Sequence, residues 1–594
     1  MCRIAGILNY QQKPTESDIA KMRDSMRHGG PDDFGIYLDE QFPLAFGHRR
    51  LSLIDLSQAG HQPMQSDNGE IVLIFNGEIY NFQILRQQLL HKGYFFKSTS
   101  DTEVIIAAYQ EWGKECLSRF NGMFAFALLD KKQGKLLLAR DHAGMKPLYY
   151  SIQNNSLYFA SEVRAFKRID PNWPENDDWK KYFLLFGHLP EPVTTLQNVQ
   201  PVEKGACLEI DLHSVTVNKS YFDKQYYNYT IYNEQEAIDK VRRTLKEAVE
   251  RHLISDAPIG LFLSGGIDSS LLTLLSKPIL KDNLHTLSIV FDHEKYSEKP
   301  YQDVIINKTG AKHQSFLVTE NDFHESLPDI MEAMDQPSID GINSYFICKY
   351  AKRSGLTAVI SGLGADELFG GYPSFERAAF IERLGKVPKF ILAAASFFND
   401  DKKKKLNFLQ FKTGIGEYLF NRGFFIPSQA AQLLDCKESE INQIIEKIAL
   451  PKFEEKLSPL ERISFLETNL YMKNQLLKDT DYMSMWHGLE VRVPFLDKEL
   501  MNLVYSIEPA IRYSPELKKH LLIKAFSDEL PREIWDRPKQ GFAFPFDLWM
   551  KNLRGFQQNT NSKNLQERLI SGKIHWSRYW TYVLSQQFNK PFVT

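Results

Sequence analysis

Leu261-Phe262-Leu263-Ser264-Gly265-Gly266-Ile267-Asp268-Ser269-Ser270 is an apolar run that stops at Ser-Gly-Gly and resumes as a helical pattern. A buried strand, a glycine turn and a helix N-terminus are the parts of an anion cradle. Glycines let backbone N–H groups approach a phosphate closely, and the helix end favours negative charge. Ser264, Ser269 and Ser270 add hydroxyl donors. Asp268 repels phosphate, so its natural role is to hold Mg2+. No lysine follows the glycines, so this is not the GxxxxGK[ST] loop. The plainer reading is a strand–turn–helix with Asp268 as a cap.

Around this stretch the pattern is α/β. An amphipathic helix is expected over 234–253, with buried strands over 259–263, 285–291 and 357–360. Strands separated by helices imply a parallel sheet. The last strand closes on Ser361-Gly362-Leu363-Gly364-Ala365-Asp366-Glu367-Leu368-Phe369-Gly370-Gly371-Tyr372. Ligands on such sheets bind at the carboxyl ends of strands. Asp268 and Asp366 are therefore expected to converge on one Mg2+, with a nucleotide triphosphate supplying other ligands. Beyond Phe375 the chain reads as mostly helical.

The first 210 residues have another texture. Short β-like runs at 4–8, 47–54, 71–75, 123–129, 135–139 and 157–160 are interrupted by helical patterns at 17–27 and 101–112. That implies stacked antiparallel sheets flanked by helices. A length of 594 residues suits two or three domains. A composition of 43% hydrophobic and 25% charged residues is that of a globular protein. A net charge of −2 offers no footprint for nucleic acid or an anionic membrane. Cys2, Cys116, Cys207, Cys348 and Cys436 are scattered, which argues against a zinc site or a disulfide framework and fits a reducing cytoplasm. The start is not a signal peptide, and the longest apolar-rich run, 390–398, is too short to span a bilayer. Lys402 to Lys405, after Asp400-Asp401, reads as a solvated stretch.

Cys2 adds a second chemistry. Removal of Met1 would leave a thiol and a free α-amine on one residue, a nucleophile and its base together. An unperturbed α-amine has a pKa of about 8, so part of it is neutral near pH 7 and can take the thiol proton.

With Asn76-Gly77-Glu78-Ile79-Tyr80-Asn81 and Glu490-Val491-Arg492-Val493-Pro494-Phe495-Leu496-Asp497, these features resemble the glutamine-hydrolysing asparagine synthetases from Met1 to about Trp549. Ser264-Gly265-Gly266-Ile267-Asp268-Ser269 looks like the loop of ATP-pyrophosphatases, which cleave ATP to AMP and pyrophosphate. The resemblance implies α+β and α/β halves. A four-layer αββα N-terminal-nucleophile glutaminase spans 2–210, and a connector spans 211–233. A parallel-sheet ATP-pyrophosphatase domain with a helical C-terminal part spans 234–560, and a tail spans 561–594.

By the same resemblance, Cys2 attacks glutamine while the Asn76 side chain and the Gly77 N–H stabilise the oxyanion. Arg50 clamps the substrate carboxylate, and Asp101, with Glu78 nearby, takes its ammonium. Leu263, Ser264, Gly265, Gly266, Asp268, Ser269, Ile289, Ser361 and Gly362 bind ATP. Asp268 and Asp366 hold Mg2+, and Lys539 faces the reacting phosphates. Glutamine, ATP and an acceptor carboxylate are the implied partners, without nucleic acid or membrane. Relatives often dimerise, which leaves a homodimer open.

Two departures stand out. The family often reads Arg-His-Arg-Gly-Pro-Asp where this chain has Arg27-His28-Gly29-Gly30-Pro31-Asp32, a loss expected to loosen a turn. Asparagine synthetases carry Glu in Ser-Gly-Glu-Gly where this chain has Leu363, and related β-lactam-forming enzymes use tyrosine. The position therefore reports acceptor chemistry. L-Aspartate is the first acceptor reading, and a sugar uronic acid or secondary-metabolite carboxylate is the alternative. More remote are an amidotransferase that does not use ATP and a non-catalytic member.

Overall fold

The computed structural model describes residues 2–223, 227–448, 450, 457–537, 544–556, 559–588 and 590. Period-two alternation builds its first half. In the strand Arg3–Asn9, Ile4 and Leu8 pack to one side and Ala5 and Ile7 to the other. Two six-stranded antiparallel sheets result. The first runs Gln200–Pro201, Tyr149–Gln153, Ser156–Ala160, Arg3–Asn9, Leu44–Arg50, Asp33–Leu38. The second runs Val217–Tyr221, Ala206–Asp211, Lys135–Arg140, Gly122–Asp130, Ile71–Ile79, Met64–Gln65.

The inner faces meet across Ile4, Phe46, Val72, Ile74 and Leu138. Helices Glu16–Asp24 and Arg164–Ile169 cover the outer face of the first sheet. Phe82–His91 and Asp101–Trp112 cover that of the second. The four layers are αββα, as expected. The edge strand Val217–Tyr221 lies within 211–233 and pairs with Ala206–Asp211.

Element ends moved where polar chemistry intervened. The run expected over 47–54 is the strand Leu44–Arg50, because residues beyond it wrap around the Arg50 guanidinium. The run expected over 71–75 continues to Ile79, since Gly77 and Glu78 still pair with Phe124 and Met123.

In the second half, helix Glu234–His252 buries Ala237, Val241, Leu245 and Val249 on one face, and the Asn233 side chain caps it by accepting from the Glu236 N–H. It leads into a five-stranded parallel sheet ordered Lys312–Leu317, His285–Val290, Ile259–Phe262, Ala358–Ile360, Glu490–Arg492. The first strand in sequence lies in the middle, and its neighbours leave in opposite directions. That is the topological switch at which ligands bind. Within 561–594, helix Trp576–Gln587 packs on Trp179–Phe186. Among the described residues, no helix is long and apolar enough to cross a membrane.

Candidate active sites

The turn after Ile259–Phe262 needs a left-handed residue, and Gly265 supplies it at φ +82°. The Ser269 hydroxyl accepts from the Ser264 N–H at 3.2 Å, and the Ser264 hydroxyl accepts from the Gly266 N–H at 3.2 Å. These bonds hold the turn open above helix Ile267–Leu280, whose N-cap Gly266 has no capping side chain. A cavity of about 1050 Å3 opens there. Leu263, Ser264, Gly266, Asp268, Ser269, Ile289, Ser361, Gly362 and Leu363 line it. Gly265 does not, and its carbonyl accepts from Arg537 at 2.9 Å.

Asp268 and Asp366 do converge, on a lysine. The buried Lys519 ammonium lies 2.6 Å from Asp268 and 2.7 Å from Asp366. Burial opposes its charge, but the two carboxylates outweigh burial and raise its pKa. Gly371 makes room for this arrangement, because a Cβ there would lie 1.6 Å from an Asp366 oxygen and 2.6 Å from Lys519 Cε. Two hard oxygen donors that already hold one cation suit Mg2+. No group of three or more His, Cys, Asp or Glu side chains that could hold a metal ion gathers among the described residues, so further ligands would come from phosphate and water. Sequence reasoning missed Lys519 and Arg537. Lys519 sits in a run of ordinary appearance, Glu516-Leu517-Lys518-Lys519-His520, and its left-handed φ of +55° leaves no mark in the sequence. Lys539, expected at the phosphates, lies outside the described residues.

The cavity carries further acids. Asp340, Glu367 and Asp479 line it with Leu363, Tyr372 and Tyr471. Glu367 accepts from the Tyr372 hydroxyl at 2.8 Å, and its second oxygen is buried without a hydrogen-bond partner. Burial, then the charge of Asp366, pushes its pKa up to about 7. Burial likewise pushes Asp479 well above the carboxylate range, although the Ser338 hydroxyl donates to it at 2.6 Å.

In the first domain the inner faces bring Cys2 and Asn76 together, since Cys2 is in phase with Ile4 and Asn76 with Val72 and Ile74. The Cys2 backbone N–H donates to Asn76 Oδ1 at 3.2 Å. Asn76 Nδ2 is buried with no hydrogen-bond partner. A donor left idle beside a thiol is what an incipient oxyanion needs. Burial raises the thiol pKa, against the Leu51 N–H and the Arg50 charge. Gly77 follows in the same strand, opposite Phe124. The Arg50 guanidinium donates to the carbonyls of Ser57 at 3.0 Å, Ile54 at 3.4 Å and Asp55. It also lines a separate cavity of about 370 Å3 with Ser52, Ser57 and Lys352. Asp101 accepts from the Ile79 N–H at 2.9 Å, and burial lifts its pKa to about 6.

The two sites meet at Glu490–Arg492. Arg492 donates to Glu490 and to the His252 carbonyl at 2.8 Å, and it lies 3.6 Å from Glu78 across the domain boundary. Burial opposes ionisation of both acids, but Arg492 holds Glu490 below its ordinary value while Glu78 is driven well above. One apolar cluster runs from Leu51, Tyr80 and Met123 to Val491, which also lines the large cavity.

The turn at Gly29 is not loose. Arg3 fills the space a side chain there would occupy, with its Cγ and Nε 2.8 Å from the Cβ position. Its guanidinium pairs with Glu162 at 2.7 Å and with Asp481 of the second domain at 2.8 Å.

A family model described as asparagine synthase matches residues 240–577, and one described as glutamine amidotransferase domain matches residues 1–223. The chain is 33% identical over 589 residues to asparagine synthetase [glutamine-hydrolyzing] 1 of Bacillus subtilis, covering 97% of this chain and 91% of that one. It is 32% identical to a Methanocaldococcus jannaschii protein provisionally named as a glutamine-hydrolysing asparagine synthetase, covering 83% of this chain and all (100%) of that one. It is 26% identical to a Gibberella zeae protein named amidase chry2, covering 91% and 87%.

Proposed function

The chain belongs to the glutamine-hydrolysing asparagine synthetase family and is a glutamine-dependent ligase, and from that premise we propose its reaction. It hydrolyses glutamine at Cys2, activates an acceptor carboxylate with ATP, and joins the released ammonia to it as an amide. The observation that carries this reading is the pair of chemistries on either side of Arg492. On one side Cys2 sits beside the idle Asn76 amide. On the other, a glycine turn and two carboxylates face one cavity.

Once Met1 is removed, the nitrogen now bonded to Asn76 Oδ1 becomes the α-amine that takes the thiol proton. The thiolate adds to the glutamine amide carbon, and Asn76 Nδ2 donates to the oxyanion. The α-ammonium returns its proton to the leaving nitrogen so that ammonia departs, and water then hydrolyses the Cys2 thioester to glutamate. A carboxylate is a poor acyl donor because oxide is a poor leaving group. Attack of the acceptor oxygen on the α-phosphorus of ATP expels pyrophosphate and leaves an acyl-AMP, from which AMP departs when ammonia attacks. Ser264, Ser269 and the first N–H groups of helix Ile267–Leu280 would bind the phosphates. Mg2+ on Asp268 and Asp366 would neutralise phosphate charge. Lys519, released from those carboxylates, would do the same from the protein side. The apolar cluster between the sites suits neutral ammonia and disfavours ammonium.

L-Aspartate is the first acceptor reading, because Asp340 and Asp479 could pair with its α-ammonium. Leu363 favours the second, a hydroxyl-rich uronic acid or another carboxylate without that ammonium. The experiment is a carboxylate panel assayed for glutamine- and ATP-dependent pyrophosphate release, in wild type and Cys2→Ala. The variant should lose glutamine hydrolysis and keep ammonia-dependent amide formation on the same acceptor. Wild-type glutamine hydrolysis by Cys2→Ala removes the nucleophile assignment. Pyrophosphate release with no member of the panel removes the ligase reading. Efficient asparagine formation by the wild type that is lost in Leu363→Glu excludes the second acceptor reading.

A further inference from the structure

The apolar run at 390–398 turns most of its large side chains outward. It folds as Lys389–Ala393 followed by Ala394–Phe397. Leu392 and Ala395 point inward, and Leu392 packs in the small core of Phe375, Ile381 and Leu409. Phe390 is 75% exposed, Ile391 51%, Phe397 87% and Phe398 46%. With Ala394 these are the outward positions of the run, carried by one short helix, the 3-10 turn after it and the extended Phe398. Surface helices normally turn such side chains to the core, and contiguous exposed aromatics mark an interaction site.

The charge around the face is one-sided. Residues 383–405 hold seven Lys and Arg against two Asp, a net +5 in a chain of net −2. Both acids are engaged. Asp400 accepts from the Lys402 and Lys403 N–H groups. Asp401 pairs with Arg568 at 3.1 Å and with Arg578. Lys386, Lys389, Lys402 and Lys403 are exposed.

We propose that this face docks on an anionic lipid bilayer, with Phe390, Ile391, Phe397 and Phe398 at the headgroup–acyl boundary and the flanking lysines on lipid phosphates. Aromatic and aliphatic side chains beside exposed lysines match an anionic interface in both respects. A second copy of this chain does not, because a two-fold contact would set each cationic rim against its own image. The run is too short to span, so the protein lies on the surface.

The test is sedimentation of the full chain with phosphatidylcholine vesicles, with and without phosphatidylglycerol. Binding is expected to the anionic vesicles and to fall with salt. Phe390→Ser with Phe397→Ser should weaken it about tenfold or more, and Lys402→Glu with Lys403→Glu should weaken it comparably. Thermal unfolding and glutaminase activity should stay at wild-type values in both pairs, because all four side chains lie in solvent. Sedimentation no greater than with phosphatidylcholine alone overturns the proposal, as does binding that the phenylalanine pair leaves intact. A concentration-dependent dimer that the phenylalanine pair dissociates overturns it in favour of self-association.

Discussion

Asn76 divides its amide between two tasks, the oxygen orienting the Cys2 nitrogen and the Nδ2 waiting without a partner. Asn76→Ala should therefore lower kcat for glutamine hydrolysis by roughly 10²–10³-fold, the usual cost of one oxyanion donor. Ammonia-dependent amide formation should persist. A kcat within about twofold of wild type would exclude the donor role. Glu367 makes a different prediction. Folded, its pKa is about 7, against an ordinary value of 4.5, because burial and Asp366 penalise its charge. Between those values the folded chain keeps a proton that the unfolded chain has lost, so its contribution to stability falls as pH rises through the window. Glu367→Gln keeps an acceptor for Tyr372 and cannot ionise. Relative to wild type it should gain on the order of 1–3 kcal/mol between about pH 5 and pH 8. Parallel melting-temperature curves across that range would show that Glu367 ionises normally.

The glycine loops were legible as elements because their signals are local: an apolar strand, a turn that only glycine tolerates, then a helix. What fills them was not. In the sequence Gly371 is only the second glycine of the loop, while in the fold its lack of a side chain is what admits Asp366 and Lys519. Gly371→Ala forces a Cβ into that space, and the carboxylate or the backbone must move. A loss of about 1–3 kcal/mol is expected, the usual cost of overpacking. Pyrophosphate release should fall further than stability alone explains, while glutamine hydrolysis stays near wild type. Unchanged release kinetics would mean that the Asp366–Lys519 geometry does not govern the nucleotide site. The run 390–398 gives the converse case. Its apolar composition was visible, but composition does not say whether a side chain meets a core or solvent, and Leu392 packs inward while Phe390 and Phe397 turn outward.

At the scale of the molecule, Arg492 ties the two halves, reaching Glu490 and the His252 carbonyl on one side and Glu78 on the other. Arg492→Met strips Glu490 of its guanidinium in a buried site, with an expected cost of about 3–5 kcal/mol. The amide formed per glutamine hydrolysed should also fall, with ammonia-dependent synthesis less affected. Unchanged stoichiometry would separate this cluster from communication between the sites. Net charge is an average at the same scale, since a total of −2 includes +5 within 383–405. By itself the sequence determined the strand periods, the glycine turns, the order of the two halves and the residue types for a thiol nucleophile and a nucleotide loop, because each is written in neighbouring residues. Tertiary structure alone decided that Lys519 joins Asp268 to Asp366 and that Arg3 fills the space at Gly29. It alone decided that Glu78 shares a buried charge cluster with Glu490. Those groups are tens to hundreds of residues apart in sequence, and only the packed fold sets the distances and burial on which they depend.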